Sequence, residues 1–430
     1  MMKKRLLATV LSAVMAISML SGCGGKSSGV EEITFMVWDD LNATEDLISK
    51  GYKDSIDRFN KDFEGKYHCT VVSTNLEEYY TKLNALVQAK ETPDVFIVSP
   101  GPNLDDYVKP GVAAKLDQYL DADGGAWKKS FASDAVFAGG TYDDGIYAIP
   151  LNIAAACVFY NTEMFADAGA EVPKTYDELL TACEKLKAKG YTPITISAGT
   201  AWCLSMVAGY LCDRNGLNLD DVKNHNTDWM DAKVINAGKQ IQELSQYFQP
   251  TAAGDDNDIA TAAFYNGQAA ILIQGSWAIG QINGSCAEGF AEKVGVFAFP
   301  AVSGSSADPN RVIAKSDSLA MSSTTKHPEA AIQLMKYFVD DTASKYTAEV
   351  GGKIPVTNVQ YDEKVAPPEL KYVMDVFKSA NSTFGFYNES LADTEAGSTF
   401  DNCFVEIFKG TAPEEALKPI QQYYEENVWK

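Results

Sequence analysis

The chain has 430 residues, with 58 Asp and Glu against 36 Lys and Arg, and a formal net charge of −22 with its three histidines neutral. A surface of this sign repels nucleic acid, and no basic cluster in the sequence offsets it. The eight cysteines form no CxxC pair, and His68, His225 and His327 are far apart, so the sequence does not suggest a zinc site.

The first residues carry an address. Lys3, Lys4 and Arg5 form a basic region, and residues 6–20 are an apolar stretch too short to span a bilayer well. Leu20-Ser21-Gly22-Cys23 follows, a lipobox in which Cys23 receives a diacylglycerol thioether and becomes the first mature residue. Residues 1–22 are thus expected to be a lipoprotein signal peptide. Residues 23–32, rich in Gly and Ser, are expected to be a flexible tether. Losing three basic residues makes the mature chain still more acidic. Its length suits two or three compact units rather than one core. The other seven cysteines are scattered and odd in number. They read mostly as small buried apolar residues, with one disulfide left open.

Short apolar, β-rich runs then alternate with amphipathic helical stretches. The pattern predicts strands at 33–38, 69–73, 95–98, 192–197, 269–273 and 294–299. Several are apolar on both faces, which marks sheets covered by helices and an α/β architecture. Thr175 followed by Glu178 predicts a capping box, with Tyr176, Leu179, Leu180, Cys183 and Leu186 on one face and Gly190 as the stop. Another helix is expected at 328–340, with Ile332, Met335 and Phe338/Val339 inward. The Asp255-Asp256-Asn257-Asp258 run lacks calcium-loop spacing and reads as a helix N-cap. Two stretches read as passages between lobes: 148–152, interrupted by proline, and the polar 303–310 with the extended segment after it.

Tryptophans recur where strands end. Trp38 closes the first strand and precedes Asp39 and Asp40; Trp202 follows the loop after the 192–197 strand; Trp277 follows the Gly275-Ser276 turn. In open α/β sheets, ligands sit at the carboxyl ends of strands. A flat indole buries the C–H face of a pyranose, while carboxylates and amides bind its hydroxyl rim. Ser99-Pro100-Gly101-Pro102-Asn103 is a rigid, backbone-exposing loop at another strand end, and it is not a P-loop. Paired acids such as Asp39/Asp40, Asp143/Asp144 and Asp255/Asp256 raise glycoside cleavage as an alternative. Adjacency in the chain does not set carboxylates astride a bond, however, and no GxSxG, HExxH or CxxC motif is present.

These residues resemble a family, the carbohydrate-binding lipoproteins of bacterial ABC importers (extracellular solute-binding protein family 1), akin to maltodextrin-binding protein. The resemblance is carried first by residues 255–282, DDNDIATAAFYNGQAAILIQGSWAIGQI, which is similar to the family's helix–strand–turn segment ending in a sugar-stacking tryptophan. Pro93-Asp-Val-Phe-Ile97, Tyr147-Ala-Ile-Pro150 with Tyr160-Asn161, residues 175–186 with Gly190-Tyr-Thr-Pro193, Gly351-Gly-Lys-Ile-Pro355 and Phe408-Lys-Gly410 agree in the same order. The resemblance implies a type II periplasmic-binding-protein fold: two α/β lobes with a hinge and a ligand cleft between them. The N-terminal lobe is then expected at 33–149 and 312–360, and the C-terminal lobe at 150–311 and 361–430. Carried over residue by residue, the ligand site takes in Trp38, Asp39, Asp40, Ser99, Asn103, Trp202 and Trp277, with Asp317, Lys353, Phe386 and Tyr387. Phe386-Tyr387 stands where many relatives carry Trp-Tyr. The implied protein has no catalytic residue, metal or cofactor. It is an extracytoplasmic, lipid-anchored receptor that takes a sugar or oligosaccharide to an ABC permease. A receptor for a non-sugar solute and a secreted glycoside hydrolase are the alternatives.

Overall fold

The computed structural model describes residues 29–42 and 46–430. The expected signal peptide and Cys23 lie outside the described residues. The strands, in chain order, are β1 (Glu31–Val37), β2 (Tyr67–Ser73), β3 (Val95–Val98), β4 (Thr141–Tyr142), β5 (Gly145–Ile146), β6 (Ala148–Pro150), β7 (Asn152–Asn161), β8 (Thr192–Thr195), β9 (Ala269–Gly275), β10 (Val294–Phe297), β11 (Arg311–Lys315), β12 (Ser318–Met321), β13 (Ile354–Pro355) and β14 (Ser382–Phe384). They make two main sheets. The first runs β2-β1-β3-β12-β6, and the second runs β14-β11-β7-β9-β8, with β10 and β13 also paired to β7.

The central strands of each sheet are buried on both faces because they are apolar on both. In β1, Ile33, Phe35 and Val37 enter one core and Met36 the other; in β3, Val95 and Ile97 take one side and Phe96 and Val98 the opposite side. The ten-residue β7 divides in the same way. Ala156 and Val158 face one core of the second lobe, and Ala155, Cys157 and Phe159 face the other. Side chains alternate across a strand, so one apolar run supplies both layers.

The helix punctuation follows the sequence. The Thr175 hydroxyl accepts from Glu178 N–H and the Glu178 carboxylate accepts from Thr175 N–H, a complete capping box at the start of Tyr176–Ala188. Asp256 caps Asn257–Tyr265 by accepting from Ile259 N–H at 2.8 Å. The helix expected at 328–340 ends at Tyr337, because Asp340 caps a new helix, Asp341–Glu349, through Ala343 N–H. Six of the seven cysteines are buried, and no disulfide forms among the described residues.

The chain passes between the sheets at three places, and two of them correct the expected boundaries. β6 lies in the first sheet and β7 in the second, so the first passage is at Leu151, after Pro150 rather than before it. β11 joins the second sheet, antiparallel to β7 and parallel to β14, whereas β12 joins the first. Residues 312–315 therefore belong with the C-terminal lobe, and the second passage is at Ser316-Asp317. The polar 303–310 stretch stays within the second lobe: the Ser303 hydroxyl donates to Asp177, and Asn381 donates to Asp308. Loop composition marks an interruption but not which sheet receives the next strand. The two passages run side by side, with Leu151 N–H donating to Asp317 C=O at 2.8 Å. β13 pairs with the start of β7 and forms part of the third, with Val356 in the first-lobe core and Tyr361 against the second.

Candidate functional site: the cleft between the lobes

The second lobe presents an aromatic floor. β9 ends at Gly275, where a Cβ would run into the Trp277 ring, so the absent side chain is what lets the indole fold back over the strand. Ser276 is buried and pins the turn: its N–H donates to Ala155 C=O at 2.9 Å and its hydroxyl accepts from Ala155 N–H at 3.4 Å. Trp277 then stands as the N-cap residue of Ala278–Ser285, half-buried. Trp202 sits in the first turn of Ala201–Arg214, and Phe386 comes from the loop after β14. The three rings meet, with centroids 5.8 Å apart for Trp202–Trp277, 5.9 Å for Trp277–Phe386 and 6.3 Å for Trp202–Phe386. Each such contact stabilises by about 0.5–1.5 kcal/mol beyond area burial. Nε1 of both tryptophans is buried and has no hydrogen-bond partner among the described residues.

The first lobe brings strand-end loops. Trp38, half-buried, packs edge-on to Tyr79 at 5.1 Å and tilts against Tyr80 at 6.4 Å. The Asp39 backbone is held by the Ser73 hydroxyl, which donates to its carbonyl. In its side chain, Oδ2 is buried without a partner among the described residues. Burial and the nearby Asp46 carboxylate push the Asp39 pKa up from 3.8 to about 7. Lys353 opposes this, and Asp317 and Asp258 add to it. Ser99 is buried at the end of β3 with its N–H donating to the Tyr80 hydroxyl at 3.0 Å.

A charged group occupies the passages. Asp317, 8% exposed, lies between two lysines, with Lys353 Nζ 3.7 Å from Oδ2 and Lys315 Nζ 3.8 Å from Oδ1. Neither separation is a hydrogen bond, and Oδ1 is without one. Lys315 instead bonds Glu389 at 3.0 Å and lies over the Phe386 ring at 5.1 Å. Burial acts to lower the Lys315 pKa, but Glu389 and Asp317 outweigh it and the net shift is upward. The lobes touch at both ends of this cleft. At one, Gly280 approaches Gly351 C=O and Ile48; at the other, a Cβ on Gly101 would lie 2.6 Å from Glu389 C=O, and Thr394 Oγ1 donates to Asp106 at 3.5 Å.

Of the residues expected at the site, Trp202, Trp277 and Phe386 come into contact, and Asp39, Asp317 and Lys353 act on one another electrostatically. Tyr387 is a correction. It is 3% exposed in the second-lobe core, its hydroxyl donates to Leu217 C=O at 3.2 Å, and its ring packs on Phe384 and Phe400. Phe386 is buried as deeply, at 2% exposed, but its ring packs on Trp202 and Trp277 beneath Lys315, whereas Tyr387 packs only into the core. Asp40 is exposed and accepts from Asn42 N–H at 2.9 Å, a local turn contact. Asn103 lies half-buried in Pro102–Val108. Lys315, Glu389, Asn152 and Gln281 were not expected there. Their residue types are common on surfaces, and only the tertiary fold buries Asn152 and half-buries the other three.

Two α/β lobes joined by three passages, with strand-end loops facing across a cleft, define a two-lobe solute-binding architecture. The pattern of the family described as "Bacterial extracellular solute-binding protein" matches residues 44–345, and the chain belongs to that family. It is 26% identical over 373 residues to the multiple sugar-binding protein of Streptococcus mutans, which spans 78% of this chain and 83% of that one. It is 27% identical over 380 residues to the diacetylchitobiose binding protein DasA of Streptomyces coelicolor, covering 82% of each. Among solved structures, one described under xylan utilization by Caldanaerobius polysaccharolyticus superposes with a TM-score of 0.83 at 25% identity, over 91% of this chain and 99% of that one. A chitin oligosaccharide binding protein superposes with a TM-score of 0.82 at 24% identity, covering 93% and 99%.

Proposed function

We propose that this protein is an extracytoplasmic receptor that binds a sugar or oligosaccharide between its two lobes and delivers it to the permease of an ABC transporter. The observation that carries this reading is the three-ring cluster of Trp202, Trp277 and Phe386, with two buried indole N–H groups lacking partners among the described residues. A pyranose lays its C–H face on such rings, and its hydroxyl oxygens accept from the indoles. The family membership, and relatives named for binding sugars, point the same way.

The mechanism is closure by differential affinity. A ligand on the aromatic floor that also meets Trp38, Asp39 and the Ser99–Asn103 loop favours the closed arrangement, because only there does it touch both lobes. The closed form docks on the permease, and binding rather than bond cleavage is the protein's task. Cys23 carries the lipid that holds it at the membrane, with more than one acyl chain giving stable anchoring.

Thermal unfolding against a panel of mono- and oligosaccharides tests the receptor reading, since a ligand of the native state raises its stability. The expected result is a shift with at least one sugar and no new reducing ends on incubation. Turnover of the sugar overturns it. Cys23→Ser is expected to release the protein from membranes, and retention there overturns the anchor.

A further inference from the structure

Among the described residues, the buried polar atoms without partners at the aromatic floor and those around the passages differ in chemistry. Trp202 and Trp277 leave indole donors on the aromatic floor. Around the passages the corresponding atoms are all oxygens: Asp39 Oδ2, Asp317 Oδ1, Asn152 Oδ1 and Gln281 Oε1. Asn152 and Asp317 are 2% and 8% exposed, so bulk water has little access to either. Gln281 donates to Asp258 at 3.1 Å, which leaves its acceptor oxygen over, and Asn152 Oδ1 is likewise without a partner among the described residues. A buried acceptor left unmade costs about 1–3 kcal/mol, so this end of the cleft is built to be completed by donors.

Charge points the same way. The charged groups acting on Asp39 are the carboxylates of Asp46, Asp317 and Asp258 and the single ammonium of Lys353. Lys353 is also engaged with Asp317, and Lys315 with Glu389. Among the described residues, both ammonium groups beside Asp317 already face carboxylates, whereas Asp39 has no cation within ion-pair distance.

We infer that the Asp39–Asp317–Asn152–Gln281 end of the cleft takes a positively charged amino group, so that the ligand class is an amino sugar or a glycan bearing a free amine. The inference rests on the sugar-receptor reading above and narrows it. An ammonium brings three N–H donors and a positive charge in one group, where a hydroxyl brings a single donor. The same arrangement disfavours a uronate, whose carboxylate would meet Asp39 and Asp317.

Calorimetric titration of the full chain with matched probes tests this: glucose, glucosamine and glucuronate, the corresponding galactose series, and the β-1,4-linked dimers of glucose and glucosamine. An amino member is expected to bind about tenfold or more tightly than its hydroxyl counterpart, with the uronate weakest. Asp39→Asn is expected to bring the amino and hydroxyl affinities to within about threefold of each other. Raising the salt concentration should narrow the wild-type ratio, a readout that requires no variant to fold. Neutral sugars that bind as tightly as their amines overturn the inference and leave the receptor standing. Failure of every sugar in this panel and of the wider oligosaccharide set overturns both.

Discussion

Two buried carboxylate clusters in this chain have opposite fates. Asp213, 1% exposed in the second lobe, has Arg214 Nη1 2.5 Å from one oxygen and Arg311 on the other. Arg214, itself 1% exposed, also donates to Arg311 C=O at 2.6 Å and lies over the Tyr210 ring; only its Nε lacks a partner. Asp39, between the lobes, faces mostly other acids and keeps Oδ2 without a partner. A buried charge needs pairing and hydrogen bonds within the fold or from something bound. The Asp213 cluster is finished by the fold and ties β11 to the helix Ala201–Arg214. The Asp39 end is left unfinished by the described residues, which suits the ligand-binding role proposed for it.

The sharpest way to break this contrast is Asp213→Ala. It strands Arg214 in the core and should destabilise the protein by about 3–5 kcal/mol, read by urea unfolding. Residual folded protein should bind sugar normally. A loss of affinity without a loss of stability would reverse the roles assigned to the two clusters. Trp277→Ala comes next, with sugar binding weakened by roughly 1–3 kcal/mol and the fold largely kept, as calorimetry and thermal unfolding would report. Collapse of stability with normal binding would make Trp277 a core residue.

Acid–base linkage separates the clusters further. The folded-state pKa of Asp39 is raised from 3.8 to about 7, so between these values the native state holds a proton that the unfolded state has lost. Stability without ligand should therefore fall as pH rises through that window, and Asp39→Asn should flatten part of the fall. Glu369 and Asp401, both pushed by burial to about 7, contribute in the same direction and account for a slope that survives the substitution. An Asp39→Asn profile that matches wild type in the unliganded protein would show the carboxyl to be solvated. The smallest effect belongs to Asp40→Ala, whose exposed side chain makes a local turn contact; a change within about 0.5 kcal/mol in stability and little in affinity is expected.

Much of the second lobe's floor was legible in the chain. The apolar run of β9, the Gly275-Ser276 turn and the following indole specify a strand end and an aromatic standing on it, because glycine there removes the one clash that would block the ring. The Thr175 capping box and the Asp256 cap are likewise local. The long β7 was less legible: its alanine-rich run begins inside a segment that read as a passage between lobes. The different packing of Phe386 and Tyr387 has no local signal, since both are large aromatics in a loop.

The sequence by itself determined what depends on near neighbours: alternating burial in the strands, helix caps, the turn beneath Trp277 and the acidic character of the whole. The proposed leader and lipid attachment at Cys23 rest on the sequence alone and lie outside the described residues. Tertiary structure alone decided which sheet receives β11, where the passages fall, and which polar residues are trapped between the lobes. Lys315, Glu389, Asn152 and Gln281 acquire their roles from surfaces that meet across the cleft. Burial of a charge is a property of everything around it, and for these residues that surrounding is contributed by segments far apart in the chain.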